Sequence, residues 1–252
     1  MPKNKRYLIY LVSSILILII INFLLSTLNF KGKDQNKELI IFAASSLQNV
    51  MPDLEKEFIK IYPSVNLFFN FASSGQLRAQ ILNGAKVDIF IPVSVTNKTD
   101  RILAKNRLVL ITDKNNRSIT SILDLTKPWV QKIAIGDPMT VPAGIAAIEC
   151  FNHFKILSQI KHKLVLTTNV RQALYYVSKN EVDAGMVFLT DSHTDQNVKI
   201  VHNIKYNLCT PIIYPIYIMN NSQNIKLSNK FLGFLNSKIA KRKLKEHFFI
   251  IN

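Results

Sequence analysis

Phe42-Ala-Ala-Ser-Ser-Leu-Gln-Asn49 joins an apolar strand to a helix through a turn that carries two hydroxyl groups. Residues 39–43 are strand formers, and residues 47–62 carry apolar side chains at helical spacing. Ser45 and Ser46 therefore stand at the predicted start of a helix, where backbone N–H groups are unpaired and the helix dipole is positive. A serine at this position can cap the helix or help to hold an anion, and this stretch alone favours the ordinary cap.

The same passage from strand to turn to helix occurs three more times along the chain. The later turns contain Ser73-Ser74, Pro142-Ala143 and Asn169-Val170, and each follows a run of strand formers. Such alternation of strands and helices predicts an α/β fold with largely parallel sheets. In open α/β sheets ligands bind outside the carboxyl ends of the strands, so we expect the four helix starts to line one cleft between two lobes.

The remaining segments between and after these turns also have predicted structures. Residues 98–105 are predicted to form a helix, and residues 108–112 a strand. Ile212 to Ile218 is predicted to form one continuous strand because β-branched and aromatic residues dominate it. Residues 227–237 and 238–248 are predicted to form two closing amphipathic helices.

The first thirty residues have the composition of an export signal or membrane anchor. Residues 1–6 are basic, residues 7–28 are almost entirely apolar and long enough to cross a bilayer as a helix, and residues 31–37 form a polar linker. No clean cleavage motif of small residues follows the apolar run, so an uncleaved anchor in the inner membrane is favoured over a cleaved signal peptide. The positive-inside rule then places the rest of the chain in the periplasm or on the extracytoplasmic face.

Several other functional classes are disfavoured by the sequence. The formal net charge is +16, but the lysines are scattered among Asn and Ile instead of forming a basic stripe with aromatics, so no nucleic-acid partner is predicted. Neither Ser45 nor Ser46 lies in a Gly-x-Ser-x-Gly elbow or a recognisable triad context, which argues against an enzyme. Cys150 and Cys209 are predicted to be separate buried residues. We expect a monomer without a cofactor or metal site.

Taken together, the four turns resemble the periplasmic molybdate-binding proteins of ABC-type importers. The matching stretches, in the same order, are Phe42-Ala-Ala-Ser-Ser-Leu-Gln-Asn49, Phe71-Ala-Ser-Ser-Gly-Gln-Leu77, Gly136-Asp-Pro-x-x-Val-Pro-Ala-Gly144 and Asn169-Val-Arg-Gln-Ala-Leu174. The resemblance covers residues 38–250 and implies the two-lobe type II periplasmic-binding-protein fold. Lobe one would comprise residues 38–107 and 206–252, and lobe two residues 108–205, after a signal or anchor at 1–30 and a linker at 31–37.

The resemblance also implies a function and a set of binding residues. It implies capture of a tetrahedral oxyanion, molybdate or tungstate, for delivery to the membrane permease of an ABC importer. The implied donors are the hydroxyls of Ser46 and Ser74, the backbone N–H groups of Ala143 and Val170, and a Tyr hydroxyl at the position of Phe188. Phe188 keeps the aromatic ring and lacks the oxygen. Two alternatives stay open: another oxyanion such as sulfate or phosphate, or a membrane-anchored scaffold that has lost its ligand.

Overall fold

The computed structural model of the protein describes residues 37–95, 101–204 and 211–251, together with residues 17 and 19–21. The chain divides into two units, residues 1–37 and residues 38–252. The predicted anchor at residues 7–28 lies outside the described residues except for residues 17 and 19–21. Within the part of the chain that is described, no helix is both long and apolar enough to cross a membrane.

The second unit alternates strands and helices, as the sequence predicts. Its strands are β1 (Lys37–Ala44), β2 (Val65–Ala72), β3 (Ile89–Ile91), β4 (Ile102–Asn106), β5 (Leu108–Asp113), β6 (Ile133–Gly136), β7 (Leu164–Thr167), β8 (Ala184–Phe188), β9 (Val198–Asn203), β10 (Ile212–Pro215) and β11 (Tyr217–Ile218). Its helices are α1 (Met51–Ile61), α2 (Ser74–Leu82), α3 (Pro142–His153), α4 (Leu157–Ile160), α5 (Val170–Ser178), α6 (Leu189–Ser192), α7 (Ile225–Leu235) and α8 (Lys238–Glu246).

The strands form two main sheets and one short ribbon. The first sheet has the order β11-β3-β1-β2, the second has the order β7-β6-β8-β5-β9, and β10 pairs with β4 in the ribbon. β1 and β3 are parallel, and β6 is parallel to both β7 and β8. The carboxyl ends of β6, β7 and β8 therefore lie at one edge of the second sheet. The predicted lobe boundaries near residues 107 and 206 stay a prediction.

The central strands are buried because helices cover the sheets. Every residue of β6 and β8 is buried, and both strands are short apolar runs, which is the pattern of parallel strands covered on both faces. In the first sheet, Leu39 and Ile41 of β1 are fully buried and belong to the same hydrophobic core as Leu54 and Phe58 of α1. This packing holds the ends of the strands, where the candidate site lies, in fixed positions.

Three predicted elements differ from the structure. The helix predicted at 98–105 is wrong, because residues 102–106 form β4 and satisfy their backbone groups by antiparallel pairing with β10. The first helix begins at Met51 instead of Leu47, with Pro52 in its first turn, where a missing N–H costs nothing. The predicted strand 212–218 is interrupted at Ile216, so that β10 pairs with β4 and β11 pairs with β3 in a different sheet.

Close approach of α3 to β6 depends on a glycine. A Cβ built on Gly144 would overlap the carbonyl oxygen of Gly136, so no larger residue fits unless the backbone moves. We expect Gly144→Ala to lower the free energy of unfolding by about 1–3 kcal/mol, as overpacking of a core does. Gly233 in α7 is the matched control, because a Cβ there meets no atom within 4 Å. Gly233→Ala should raise stability by about 0.5–1 kcal/mol, since Ala is the better helix former.

Urea unfolding of the full-length protein and the two variants measures both effects. Equal changes in Gly144→Ala and Gly233→Ala would contradict the close approach of α3 to β6.

Candidate functional site

The five residues implied by the resemblance lie together in the structure. Ser46, Ser74, Ala143, Val170 and Phe188 all line one cavity, at the carboxyl ends of strands from both main sheets. They come from five separate segments of the chain, which the fold brings to one place. Their role in binding a ligand stays a proposal.

The cavity is small, and the start of α2 contacts the segment before α3 beside it. Its volume is about 10 Å³, which is the space of a single water molecule. Beside it, the Gly75 backbone N–H at the start of α2 donates to the carbonyl oxygen of Thr140, 3.0 Å away in the segment before α3. A Cβ on Gly75 would lie 2.5 Å from the same oxygen. A ligand larger than water therefore requires the walls of this cavity to separate.

Neither candidate serine acts as a helix cap. Ser46 lies within the 3-10 turn Ser45–Leu47, whose N-cap position, Ala44, makes no side-chain cap hydrogen bond. In α2 the cap is Ser73, which accepts from the Gln76 N–H in a capping box. Since the ordinary cap was the competing interpretation of these serines, the structure leaves the hydroxyls of Ser46 and Ser74 available for another purpose.

Both hydroxyls already have a hydrogen-bond partner within the protein. Ser74 Oγ accepts a hydrogen bond of 2.8 Å from the Val93 backbone N–H. Ser46 Oγ lies 2.8 Å from the Tyr214 hydroxyl. Because a Ser hydroxyl carries one proton and two acceptor lone pairs, Ser74 keeps its own proton for donation after accepting from Val93.

Two helix starts supply backbone donors. Ala143 and Val170 lie in the first turns of α3 and α5, and N–H groups there have no acceptor within their own helix. α3 begins with Pro142, and α5 is capped by Asn169, whose side chain accepts from the Gln172 N–H at 3.0 Å. The positive ends of both helix dipoles thus meet the cavity, which suits an anion.

Phe188 contributes an apolar wall to the same cavity. It is the last residue of β8, and only 2% of its surface is exposed. The ring brings no hydrogen-bond donor to a place where the other implied residues each offer one.

A buried ion pair supports the wall formed by α5 and β8. Arg171 Nε lies 2.6 Å from Asp191 Oδ1, and the Asp191 side chain is completely buried. Burial raises the pKa of Asp191 to about 6, although the Arg171 charge and the Phe188 backbone N–H act in the opposite direction. Arg171 also donates to Thr194 Oγ1 at 2.9 Å. Its charge is therefore engaged behind the cavity.

Sequence reasoning missed a polar cluster beneath Ser46. Tyr214 and Asn106 are both fully buried, and Asn106 Nδ2 lies 2.9 Å from the Tyr214 hydroxyl and 2.9 Å from Thr190 Oγ1. A polar side chain in an otherwise buried apolar strand is the signal that was available, because buried phenols and amides require partners. Neither residue belongs to a strand-to-helix turn, and the sequence predicts donors at those turns only.

A larger cavity lies elsewhere in the described part of the chain. It measures about 320 Å³ and lies beside Asp88. The Asp88 carboxylate already accepts from the Ile40 backbone N–H at 2.8 Å and from Ser222 Oγ at 2.5 Å.

Among the described residues no group of three or more His, Cys, Asp or Glu side chains is placed to hold a metal ion. Cys150 is buried in α3, and Cys209 lies outside the described residues, so the predicted lack of a disulfide is not tested.

Comparisons with known proteins identify the family and agree with the fold. Residues 39–250 match the family model described as bacterial extracellular solute-binding protein. The molybdate-binding protein ModA of Haemophilus influenzae is 31% identical over 225 residues, which cover 82% of this chain and 87% of that protein. ModA of Escherichia coli is 29% identical over 235 residues, covering 86% of this chain and 90% of that protein.

A solved structure confirms the predicted fold class. The periplasmic molybdate-binding protein of Azotobacter vinelandii superposes with a TM-score of 0.75, covering 85% of this chain and 99% of that chain at 20% identity. At this identity the likeness establishes the two-lobe α/β fold of periplasmic binding proteins and nothing about the ligand.

The Arg171–Asp191 pair generates a testable prediction. Asp191→Asn should lower the free energy of unfolding by about 3–5 kcal/mol, because it leaves a buried guanidinium without its counter-charge. The double variant Arg171→Met/Asp191→Leu should recover most of that loss, since apolar side chains of similar size replace both charges. Urea unfolding of the three full-length proteins measures this. A double variant as unstable as Asp191→Asn would show that the pair contributes through its geometry and not through charge balance.

Proposed function

The chain belongs to the family of bacterial extracellular solute-binding proteins, and from this premise we propose that its solute is a tetrahedral oxyanion, molybdate or tungstate. The cavity lined by Ser46, Ser74, Ala143, Val170 and Phe188 is the proposed binding site. The proposed partner is the membrane permease of an ABC importer, to which the protein delivers the anion on the extracytoplasmic side. The prediction that the protein is not an enzyme accompanies this proposal.

One observation carries the proposal: the described residues that line the cavity include serine hydroxyls and two helix starts but no charged side chain. The hydroxyls of Ser46 and Ser74 have hydrogen-bond partners within the protein, and the N–H groups of Ala143 and Val170 lie at helix starts. A hydrogen bond from a neutral donor to a charged acceptor contributes about 1.5–3 kcal/mol net, so several such bonds hold an anion without any Lys or Arg. Among the described residues that line the cavity, none brings a carboxylate that would attract a cation.

The choice of molybdate or tungstate rests on the relatives. Two proteins that align over more than four fifths of this chain are named as molybdate-binding proteins. The four motifs that carry the resemblance contain Ser46, Ser74, Ala143 and Val170 at the matching positions. Sulfate and phosphate have the same tetrahedral shape, and they enter the test as competing ligands.

A second candidate function is favoured by Phe188 and by the size of the cavity. A scaffold that keeps the fold and has lost its ligand would tolerate a ring without a hydroxyl at this position and a cavity of about 10 Å³. The retained donors favour the binding protein, because a scaffold without a ligand would have no use for two hydroxyls and two helix starts around one cavity.

Calorimetric titration of the full-length protein with sodium molybdate, tungstate, sulfate and phosphate tests the proposal. We expect saturable binding of one molybdate or tungstate per chain. Ser46→Ala and Ser74→Ala should each weaken it by about 1.5–3 kcal/mol, the contribution of a hydrogen bond to a charged acceptor. Ser178→Ala is the control, because its hydroxyl bonds the Tyr175 carbonyl on the exposed side of α5. Absence of binding by all four anions would favour the scaffold, and unchanged affinity in both site variants would place the ligand elsewhere.

Phe188→Tyr tests the one position where a donor is missing. If the phenol oxygen points into the cavity, it adds a donor to the anion, and molybdate binding should tighten about tenfold or more. Thermal unfolding of the same variant checks that the added oxygen fits, and we expect a melting temperature close to that of the parent protein. An unchanged or weaker affinity in an equally stable variant would mean that another group already supplies this donor.

A further inference from the structure

The hydroxyl of Ser46 is the end of a buried chain of polar groups. Asn106 Oδ1 accepts from the Arg107 backbone N–H at 2.9 Å, so the orientation of its amide is determined by that bond. Its nitrogen, Nδ2, then faces both Thr190 Oγ1 and the Tyr214 hydroxyl, each at 2.9 Å. The Tyr214 hydroxyl in turn lies 2.8 Å from Ser46 Oγ.

The chemistry of the amide determines the direction of the two bonds that Asn106 Nδ2 makes. An amide nitrogen carries two protons and accepts no hydrogen bond, so Tyr214 must accept from Asn106. Of the two described partners of the Tyr214 hydroxyl, Ser46 Oγ is then the one that can accept the phenol proton. Burial raises the pKa of Tyr214 well above its ordinary value, with the negative charge of Asp191 acting in the same direction, and this keeps the phenol protonated. Ser46 therefore accepts from Tyr214 and keeps its own proton for another acceptor.

We propose that Tyr214 is a positioning residue, which directs the Ser46 hydroxyl proton into the cavity and so makes Ser46 a donor to the anion. This inference rests on the proposed function, because it concerns the same cavity. Tyr214 itself touches Ser46 and Asn106, and it acts on the ligand through Ser46. In a chain of hydrogen bonds each donor polarises the next, so the relay also strengthens the bond that Ser46 makes.

Ser74 provides an internal comparison within the same site. Its hydroxyl accepts from the Val93 backbone N–H, whereas the hydroxyl of Ser46 is bonded to the Tyr214 side chain. Each serine thus accepts a hydrogen bond and keeps its own proton for donation, but Ser46 accepts from a side chain and Ser74 accepts from the main chain. Only Ser46 depends on a group that a point substitution can remove.

A double-mutant cycle in the full-length protein separates positioning from packing. Sodium molybdate is titrated calorimetrically into the parent protein, Ser46→Ala and Ser74→Ala, each with and without Tyr214→Phe. We expect Tyr214→Phe to weaken binding about three- to tenfold in the parent and in Ser74→Ala, the scale of one neutral hydrogen bond. In Ser46→Ala it should change the affinity less than twofold, because the residue through which Tyr214 acts is gone.

Each other outcome overturns the inference in a distinct way. Equal weakening in the Ser46→Ala and Ser74→Ala backgrounds would mean that Tyr214 contributes packing only, and unchanged affinity in all three would mean that it orients nothing. If the parent protein binds none of the anions, the proposed function fails and this inference fails with it. If the parent binds molybdate but the cycle gives either of the two results just described, only the relay is overturned.

Asn106→Asp is the second variant, for use if Tyr214→Phe unfolds. An aspartate of the same shape replaces the donor with an acceptor, so the phenol proton turns towards residue 106 and leaves Ser46. Its loss of molybdate affinity should be larger in the parent than in Ser46→Ala. Equal losses of affinity in the parent and in Ser46→Ala would mean that Asn106→Asp acts only by charge repulsion, and this would contradict the relay.

Discussion

A buried polar group must have a partner, and the candidate site is organised by that requirement. The cavity brings together two hydroxyls and two helix starts, and a buried donor that stays unpaired costs about 1–3 kcal/mol. The protein fills one acceptor site on each hydroxyl oxygen, with the Val93 N–H for Ser74 and, in the proposed relay, with Tyr214 for Ser46. The proton that remains on each hydroxyl can then be donated to a ligand in the cavity, which is the basis of the proposed anion site.

The same requirement explains where charge is placed. The fold keeps Arg171 one position after Val170 and turns its guanidinium away from the cavity towards the buried carboxylate of Asp191. A paired charge at this depth contributes little net stability, but the loss of one partner is costly. The pair therefore ties the start of α5 to α6, the helix that follows β8, while the cavity itself presents neutral groups only.

Several features were predictable because they depend on local physical chemistry. Helix periodicity and strand formers indicated the alternating fold, and the four turns with Ser46, Ser74, Ala143 and Val170 follow directly from strands that end before helices. The helix predicted at 98–105 is wrong, because β4 forms through its pairing with β10 and through a bridge from Lys105 to Ile250, both more than one hundred residues later. Pairing between distant segments has no signature in a single window of sequence.

By itself, the sequence determined the α/β class and which turns carry donors, because periodicity and helix capping are properties of neighbouring residues. Only the tertiary structure decided that these four turns and the end of β8 line one cavity, that Ser46 and Ser74 are not caps, and that Tyr214 and Asn106 form a bonded chain with Ser46. Asn106 and Tyr214 come from β4 and β10, the two strands of the short ribbon. The contacts among them arise from packing between elements far apart in the chain, where distance in the sequence says nothing about distance in space.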